Sequence, residues 1–207
     1  MSNLELLDIY DENMNFLGIS KREDAHKWGL WHFTFQCFII QSIGEEKYLL
    51  FQKRQKDKQT YPNYFDVTAA GHLVTGEKVE DGLRELEEEL GLRLSIEDLN
   101  GVGIIKQRLK GENFIDNEFC HVFIYECKQP LLEYKLQREE LQGLFRLKLE
   151  DFKELLYEKK VDIELQGVIF NELGGLEDYS VIAKLIDFVP HGIDYYERII
   201  DFIKKTY

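Results

Sequence analysis

The stretch that most constrains this chain runs over residues 71–92 and reads GHLVTGEKVEDGLRELEEELGL. Its second half predicts one helix, because Leu83, Leu86 and Leu90 recur at the spacing of an apolar helix face. Gly91 follows directly, at a position where a residue that tolerates positive φ commonly ends a helix. The leucines would hold one face of this helix against a core and leave the other face free for chemistry.

That other face is acidic. Glu85, Glu88 and Glu89 stand at i, i+3 and i+4, so they share one side of the helix. An acidic run is most often a solvated surface, and each close like-charged pair costs a few tenths of a kcal/mol. A hard divalent cation such as Mg²⁺ reverses this balance, because it prefers oxygen ligands. We therefore take the three carboxylates as candidate metal ligands, with Arg84 able to hold a neighbouring carboxylate through its planar fork.

The complete pattern resembles the signature of the Nudix hydrolases. It consists of Gly71, five residues, Glu77, and then Arg-Glu-Leu-X-Glu-Glu-X-Gly-Leu over residues 84–92. In one departure, six residues separate Glu77 from Arg84, where the Nudix pattern has seven. The resemblance implies an α/β fold with a mixed central β-sheet between helices. It also implies Mg²⁺-dependent cleavage, with Mn²⁺ as a substitute, of a nucleoside diphosphate linked to a group X or a related small organic diphosphate.

Composition narrows the partners. The chain has 207 residues, enough for one domain with a substantial core, and a formal net charge of −13. Such a charge argues against long nucleic acids as partners, whereas a small phosphorylated ligand fits if a metal supplies positive charge.

Three cysteines without a CxxC pair are typical of a reducing compartment, and no apolar run approaches the roughly 20 residues of a membrane helix. We expect a cytoplasmic protein without a membrane partner. Homodimerisation through the N-terminal hairpin or the last helix is left open.

Apolar periodicity predicts the remaining elements. Runs rich in aromatic and β-branched residues predict strands at 33–41, 48–54, 102–109, 118–127 and 143–149, the last of them closing the sheet. Residues 1–30 are expected to form an N-terminal β-hairpin and a connecting segment. Helices at 150–160 and 192–207 would make a C-terminal helical extension over 150–207, within a single domain of residues 1–207. The stretch from 161 to 179 has no readable pattern.

Residues 4–150 also resemble one branch of the superfamily, isopentenyl-diphosphate isomerase and its hydrolase-like relatives. The resemblance lies in LLFQKRQKDKQTYPNYFDVTAAGHL, which starts at residue 49, and in the opening LDIYDE…GISKREDAH…WH. It implies that Arg54 and Lys58, and more weakly Arg22, contact the diphosphate. It also implies a second metal site, made of His26, His32, His72, Asp116 and Glu118. Glu118 has an alternative role as the general base that takes a proton from the attacking water.

One residue separates this chain from the isomerases. They carry a catalytic cysteine immediately before Gly-His, and here that residue is Ala70, which cannot donate or accept a proton. Their Nudix helix also tends to be degraded, whereas this one is complete. We therefore expect a hydrolase whose catalytic residues are Glu85, Glu88, Glu89 and Glu118. The alternatives are an isomerase and a non-catalytic, nucleotide-binding regulatory domain. The loops at 110–117 and 166–180 would select the group X.

Overall fold

The computed structural model describes residues 5–111 and 114–207. Strands contain more of its residues than α-helices do. The strands are β1 (Leu6–Tyr10), β2 (Phe16–Lys21), β3 (His32–Ile43), β4 (Glu46–Arg54), β5 (Phe65–Asp66), β6 (Ala69–His72), β7 (Asn100–Lys110), β8 (Ile115–Glu126), β9 (Leu141–Lys148), β10 (Ile163–Phe170) and β11 (Leu176–Ala183). The α-helices are α1 (Arg22–Trp28), α2 (Arg84–Leu90), α3 (Leu149–Leu156) and α4 (Ile193–Thr206).

Within the described residues, nine strands form one mixed sheet. Its main path runs β11-β10-β9-β4-β3-β8-β7, with β5 paired to β4 and β6 paired to β3. Strands β3 and β8 are parallel, with His32 opposite Glu118, and the other pairings between neighbours are antiparallel. The centre of the sheet therefore places the first residues of β3 beside those of β8.

Helices cover both faces of this sheet. Because side chains alternate along a strand, consecutive residues of β3 point to opposite sides. Phe38 and Ile40 pack with α3 and α4 in one apolar cluster, whereas Cys37 and Ile39 pack with Leu86 of α2 in another. The predicted arrangement of a mixed sheet between helices is confirmed.

The predicted N-terminal hairpin also forms. Strands β1 and β2 pair with each other and make a small sheet beside the main one. The N–H of Thr75 donates to the carbonyl of Leu6 at 2.8 Å, and the N–H of Tyr10 donates to the carbonyl of Trp31 at 2.8 Å. The first bond attaches the hairpin to the glycine-containing loop before α2, and the second attaches it to the residue that precedes β3.

Other predictions require correction. The strand at 143–149 is not the last of the sheet, because β10 and β11 add to it as an antiparallel hairpin. The expected helical extension over 150–207 therefore contains a β-hairpin between its two helices. Most side chains of β11 are exposed, so this edge strand has no buried alternation to read. The connecting segment expected within residues 1–30 contains α1, which is two turns long and too short to show a period.

The helices differ in detail from the expectation. The predicted helix from Val79 to Leu90 begins as a 3₁₀ turn over Val79–Leu83 and continues as α2. In α4 the predicted apolar stripe is buried except for Ile193, which is 45% exposed. Among the described residues, no helix is both long and apolar enough to cross a membrane.

Candidate active site

Helix α2 presents its carboxylates as the leucine spacing predicts. Leu86 and Leu90 are fully buried in the core. Gly91 ends the helix at φ 72°, and its N–H donates to the carbonyl of Glu87 at 2.9 Å. Glu85 and Glu89 are buried at the base of a cavity, whereas the side chain of Glu88 is 56% exposed. The two buried carboxylates and one accessible carboxylate thus line the same space.

The shortened spacing before α2 still allows the expected ion pair. Nε of Arg84 lies 3.0 Å from Oε1 of Glu77, and Nη2 lies 3.4 Å from Oε2. The same guanidinium donates to the carbonyl of His72 at 2.8 Å and forms an ion pair with Glu85. Glu77 also accepts the N–H of Val74 at 2.8 Å. Arg84 therefore joins the loop to the helix and orients one of the candidate ligands.

The first glycine of the motif is required by close packing. A Cβ on Gly71 would overlap the carboxylate of Glu85. Gly71 belongs to β6, and its neighbour Ala70 donates its N–H to Oε2 of Glu89 at 3.4 Å. Strand β6 thus forms a wall directly against the acidic face of α2.

The buried carboxylates of α2 have few compensating partners. Burial and the neighbouring charge of Glu85 raise the pKa of Glu89 to about 8. Burial also raises the pKa of Glu85, against the opposing effect of Arg84. Gln52 and Ala70 donate to Glu89 only at 3.4 Å. A pair of buried carboxylates of which one, Glu89, has only weak partners is a good fit for a hard cation, which would supply the missing positive charge.

A cavity of about 1020 Å³ collects most of the predicted site. Its lining includes residues predicted as metal ligands, as phosphate contacts and as the general base: Arg22, Arg54, Lys58, His72, Glu85, Glu88, Glu89, Asp116 and Glu118. His26 and His32 lie behind this lining and are buried.

The three predicted cations are each held by an acid. Nη1 of Arg54 donates to Oδ2 of Asp66 at 2.8 Å, and Nη2 donates to the carbonyl of Thr60 at 3.0 Å. Lys58 forms an ion pair with Glu140, and burial lowers the pKa of this lysine. Nε of Arg22 lies 3.5 Å from Oε2 of Glu5. Each cation comes to the cavity from a part of the chain outside α2.

Three histidines and an aspartate converge at one end of the cavity. One possible ligand atom from each of His26, His32, His72 and Asp116 lies within 4.8 Å of all the others. Nε2 of His26 lies 3.1 Å from Nε2 of His72, and Nε2 of His32 lies 3.4 Å from Oδ1 of Asp116. Nε2 of His32 and Oδ1 of Asp116 are buried without a hydrogen-bond partner among the described residues.

The outer nitrogens of two of these rings are already engaged. Nδ1 of His72 lies 3.1 Å from Oε1 of Glu5, and Nδ1 of His32 lies 2.9 Å from the carbonyl of Leu30. An N–H donated outward leaves the lone pair of Nε2 directed inward, as in histidines that bind metals. Burial lowers the pKa of His26 and His72 to about 4, so both rings are neutral at pH 7. The donor set fits a divalent ion that accepts imidazole and carboxylate.

Glu118 lies on the same face of β8 as Asp116 but is not part of that converging group. Its Oε2 accepts from Nε2 of Gln36 at 3.3 Å and from Sγ of Cys120 at 3.4 Å. Burial and the charge of Asp116 raise its pKa well above the usual range. Glu118 is therefore a group of high proton affinity in the cavity wall.

Ala70 lines the cavity at the position of the isomerase cysteine. Cys37 and Cys120 are fully buried, and neither is among the described residues that line the cavity. No thiol among those lining residues replaces the one that the isomerases carry.

A family profile described as the NUDIX domain matches residues 12–165. The chain belongs to the Nudix family. It is 39% identical to a Nudix hydrolase of Clostridium acetobutylicum over 203 residues, which cover 98% of each chain. These matches identify a Nudix hydrolase, a pyrophosphohydrolase that acts on acid anhydrides of phosphorus compounds.

Two further comparisons are more distant. The chain is 29% identical to an isopentenyl-diphosphate Delta-isomerase of Photorhabdus laumondii over 130 residues, which cover 62% of this chain and 71% of the isomerase. The solved structure of a MutT protein from Methanosarcina mazei superposes with a TM-score of 0.54 at 15% identity, covering 85% of this chain and 96% of the other. This structural likeness supports the Nudix fold.

Several residues of the Nudix cavity were missed from the sequence. Glu5, Asp66, Glu140 and His191 line it. The three acids hold the predicted cations, Glu5 also contacts His72, and His191 contacts Asp66. Each comes from a segment outside the signature motif, and a lone acid or histidine carries no spacing that identifies it. The acids could have been sought only by asking which carboxylates neutralise the predicted cations.

The selectivity loops have different outcomes. Part of the loop at 110–117 lies outside the described residues, and its last residues belong to β8. The stretch at 166–180 belongs to the hairpin of β10 and β11, and none of its residues is among those that line the Nudix cavity. Its role in substrate choice stays a prediction.

Proposed function

We propose that this protein is a Mg²⁺-dependent hydrolase that cleaves the diphosphate bond of a small organic diphosphate, such as a nucleoside diphosphate linked to a group X. The observation that carries the proposal is the composition of the cavity. The three motif carboxylates form one wall, and Arg22, Arg54 and Lys58 come from other elements that line the same space. A diphosphate with its metal is the small ligand that matches acids and bases placed in this way.

Glu85, Glu88 and Glu89 would hold the Mg²⁺. When bound, the ion would neutralise the charge of the diphosphate and lower the pKa of the attacking water. Arg84 orients Glu85 through their ion pair. The exposed carboxylate of Glu88 can adjust to the ion, whereas the buried carboxylates cannot move far.

Arg54 and Lys58 would bind the phosphate oxygens. Arg54 donates from Nε and Nη2 to Thr60 and from Nη1 to Asp66, which leaves the second N–H of Nη1 for a phosphate oxygen. Lys58 would exchange its pairing with Glu140 for the substrate. Glu118 would take the proton of the attacking water, since it lines the cavity and its burial raises its proton affinity.

We also propose that His26, His32, His72 and Asp116 bind a second divalent ion. The support is the convergence of their ligand atoms and the outward hydrogen bonds of two rings. Glu118, two residues along β8 from Asp116, stays a proposed ligand of this ion. The site fits Mn²⁺ or Zn²⁺ better than Mg²⁺, because imidazole is a softer ligand than oxygen.

Two alternative functions compete with this proposal. An isomerase of isopentenyl diphosphate is favoured by the distant relative and by the histidine cluster, and it is disfavoured by Ala70. A nucleotide-binding regulatory domain without catalysis is disfavoured by the complete set of carboxylates, because a binder need not keep their mutual repulsion.

The deciding experiment measures the phosphomonoester products formed from a panel of diphosphates, with and without Mg²⁺. The panel includes nucleoside diphosphate sugars, CDP-alcohols, thiamin-type diphosphates and isopentenyl diphosphate, and the last is also assayed for isomerisation. We expect metal-dependent hydrolysis of one class. Isomerisation without hydrolysis would establish the first alternative, and nucleotide binding without any turnover would establish the second.

The second ion is tested by metal content rather than by rate. Protein equilibrated with Mn²⁺ or Zn²⁺ and then desalted should retain more metal than its His32→Gln variant, as measured by mass spectrometry. His121→Gln is the matched control, since His121 also lies on a central strand but outside the cluster. Equal metal content in all three proteins would contradict the site.

A further inference from the structure

Residues 184–192, between β11 and α4, return to the cavity, although they lie beyond the residues that match the Nudix profile. The N–H of Val189 donates to the carbonyl of Phe65 at 2.9 Å, and Phe188 forms a parallel bridge with Phe65. Tyr196 in α4 donates its hydroxyl to the carbonyl of Val189 at 3.1 Å. These contacts bring His191 to the end of β5.

His191 completes a buried chain of contacts that ends at a predicted phosphate ligand. Its Nε2 lies 2.9 Å from Oδ1 of Asp66, and Oδ2 of the same carboxylate accepts from Arg54 at 2.8 Å. Asp66 also accepts the N–H of Val67 at 2.8 Å. Although burial opposes ionisation, His191 and Arg54 hold the pKa of Asp66 below its usual range, so this aspartate is a carboxylate.

The ring of His191 is itself held in place. It stacks on Tyr195 with ring centroids 4.6 Å apart and planes 22° apart, and its side chain is 4% exposed. Its Nδ1 is buried without a hydrogen-bond partner among the described residues. A buried nitrogen without a partner costs free energy, so hydrogen bonding within the core does not by itself explain a histidine at this position.

We infer that His191 is a positioning residue for diphosphate binding: it fixes the Asp66 carboxylate, which in turn holds the Arg54 guanidinium at the cavity wall so that its remaining Nη1 N–H can bind phosphate. The inference rests on the proposed function, in which Arg54 binds phosphate. It assigns to the segment between the hairpin and α4 a role in the substrate site. Three side chains from β4, β5 and this segment would act as one unit, so their effects on binding should not multiply.

The test compares His191→Phe with His191→Gln. Phenylalanine keeps a planar ring against Tyr195 and removes the donor to Asp66, whereas glutamine offers an N–H near the position of Nε2. We expect His191→Phe to raise KM for the substrate found in the panel about tenfold, because it loses a hydrogen bond to a charged group. The value of kcat should change much less, and His191→Gln should restore most of the KM.

Substitution of Arg54 tests whether His191 affects binding through this arginine. Arg54→Ala should raise KM, and adding His191→Phe to Arg54→Ala should then produce little further change. Lys56→Ala, which changes an exposed lysine outside the cavity, should leave KM unaltered. If His191→Phe leaves KM unchanged, or if the two single effects multiply in the double variant, the inference is wrong.

Binding of inorganic pyrophosphate in the presence of Mg²⁺, measured by calorimetry, separates this inference from the proposed function. Absence of turnover in the wild type would overturn the proposed hydrolase. Weaker binding of pyrophosphate by His191→Phe than by the wild type would still support the positioning role. Should His191→Phe fail to fold, Asp66→Asn tests the same link, because the amide keeps an acceptor for His191 and loses the charge that holds Arg54. An unchanged Kd in Asp66→Asn would then contradict the inference.

Discussion

The three glutamates of the motif occupy different environments. Glu85 and Glu89 are buried against β6, where a change of shape or charge disturbs the packing of α2 as well as the chemistry. Glu88 extends into the cavity from the exposed side of the same helix. A substitution at Glu88 therefore tests metal binding with the least effect on folding.

Glu88→Gln is expected to lower kcat by about 100-fold or more, since a lost metal ligand removes several kcal/mol of transition-state stabilisation. Its free energy of unfolding without metal should change by less than about 0.5 kcal/mol, as is usual for exposed positions. Steady-state kinetics across Mg²⁺ concentrations and thermal unfolding measure the two effects.

Glu87→Gln is the matched control for this substitution. Glu87 is in the same helical turn, but it pairs with Arg93 and does not line the cavity. A near-normal rate for Glu88→Gln at moderate Mg²⁺ would remove Glu88 from the ligand set. A loss of rate in Glu87→Gln equal to that in Glu88→Gln would point to the helix rather than to the ligand.

Which of these residues could be predicted depended on spacing. The glutamates of α2 follow a helical period, and the cations and histidines stand at places that match a known branch, so all were named from the sequence. Asp66 and His191 are joined only by the fold, since 125 positions separate them in the chain. A contact of this kind leaves no local pattern, and only the sheet brings the two side chains together.

At the level of elements, the glycine of β6 sets how closely the strand approaches α2. An added methyl group at Gly71 would overlap the Glu85 carboxylate and displace it. Gly71→Ala should therefore lower kcat/KM by roughly 10- to 100-fold, because small displacements of reacting groups have effects of that size. The accompanying loss of stability should be about 1–3 kcal/mol, as for other overpacked sites.

Gly101→Ala in β7 is the control for this prediction. There the new methyl group would meet only Phe123 at an ordinary contact distance of 3.7 Å. Mg²⁺ titrations of both variants, followed by calorimetry, show whether the metal site is the part that has changed. If Gly71→Ala binds Mg²⁺ and turns over like the wild type, the contact with Glu85 is not important for catalysis.

Elements were predictable where a long run of residues is buried or where a helix has a repeated apolar face. Strands β3, β4 and β8 are long and rich in buried residues, and α4 has a clear apolar stripe. The short strands β5 and β6 add only two and four residues, which is too few to show a period. Strand β11 is an exposed edge whose position depends on its partner β10. Pairing across the sheet, rather than local preference, decides such elements.

At the scale of the whole molecule, the cavity brings together buried carboxyl groups. When these groups are ionised, their burial lowers the stability of the folded protein. Burial raises the pKa of Glu89 to about 8 from a usual value of 4.5, and it also raises the pKa of Glu85 and Glu118. The folded state therefore binds more protons than the unfolded state between these values. Stability from such groups is fully present at low pH and is lost as the pH rises through their folded pKa.

The buried histidines change stability with pH in the opposite direction and over a lower pH range. Burial lowers the pKa of His26 and His72 to about 4 from 6.5, so their effect on stability is complete above about pH 6.5. Between pH 6.5 and 8 the change in stability of the metal-free protein should then reflect the raised carboxyl groups. Within that window, the metal-free protein is expected to lose stability as the pH rises.

Mg²⁺ should cancel this loss, because it binds the ionised carboxylates and stabilises the folded state by mass action. The measurement is thermal unfolding between pH 6.5 and 8, in EDTA and in excess Mg²⁺, for the wild type and for Glu89→Gln. The glutamine cannot ionise, so the metal-free variant should show a smaller fall in Tm with pH and a smaller gain on adding Mg²⁺. If the Tm of the metal-free variant falls with pH as steeply as that of the wild type, Glu89 is not the group responsible. A gain from Mg²⁺ that is independent of pH in the wild type would mean that the ion does not displace protons from this cavity.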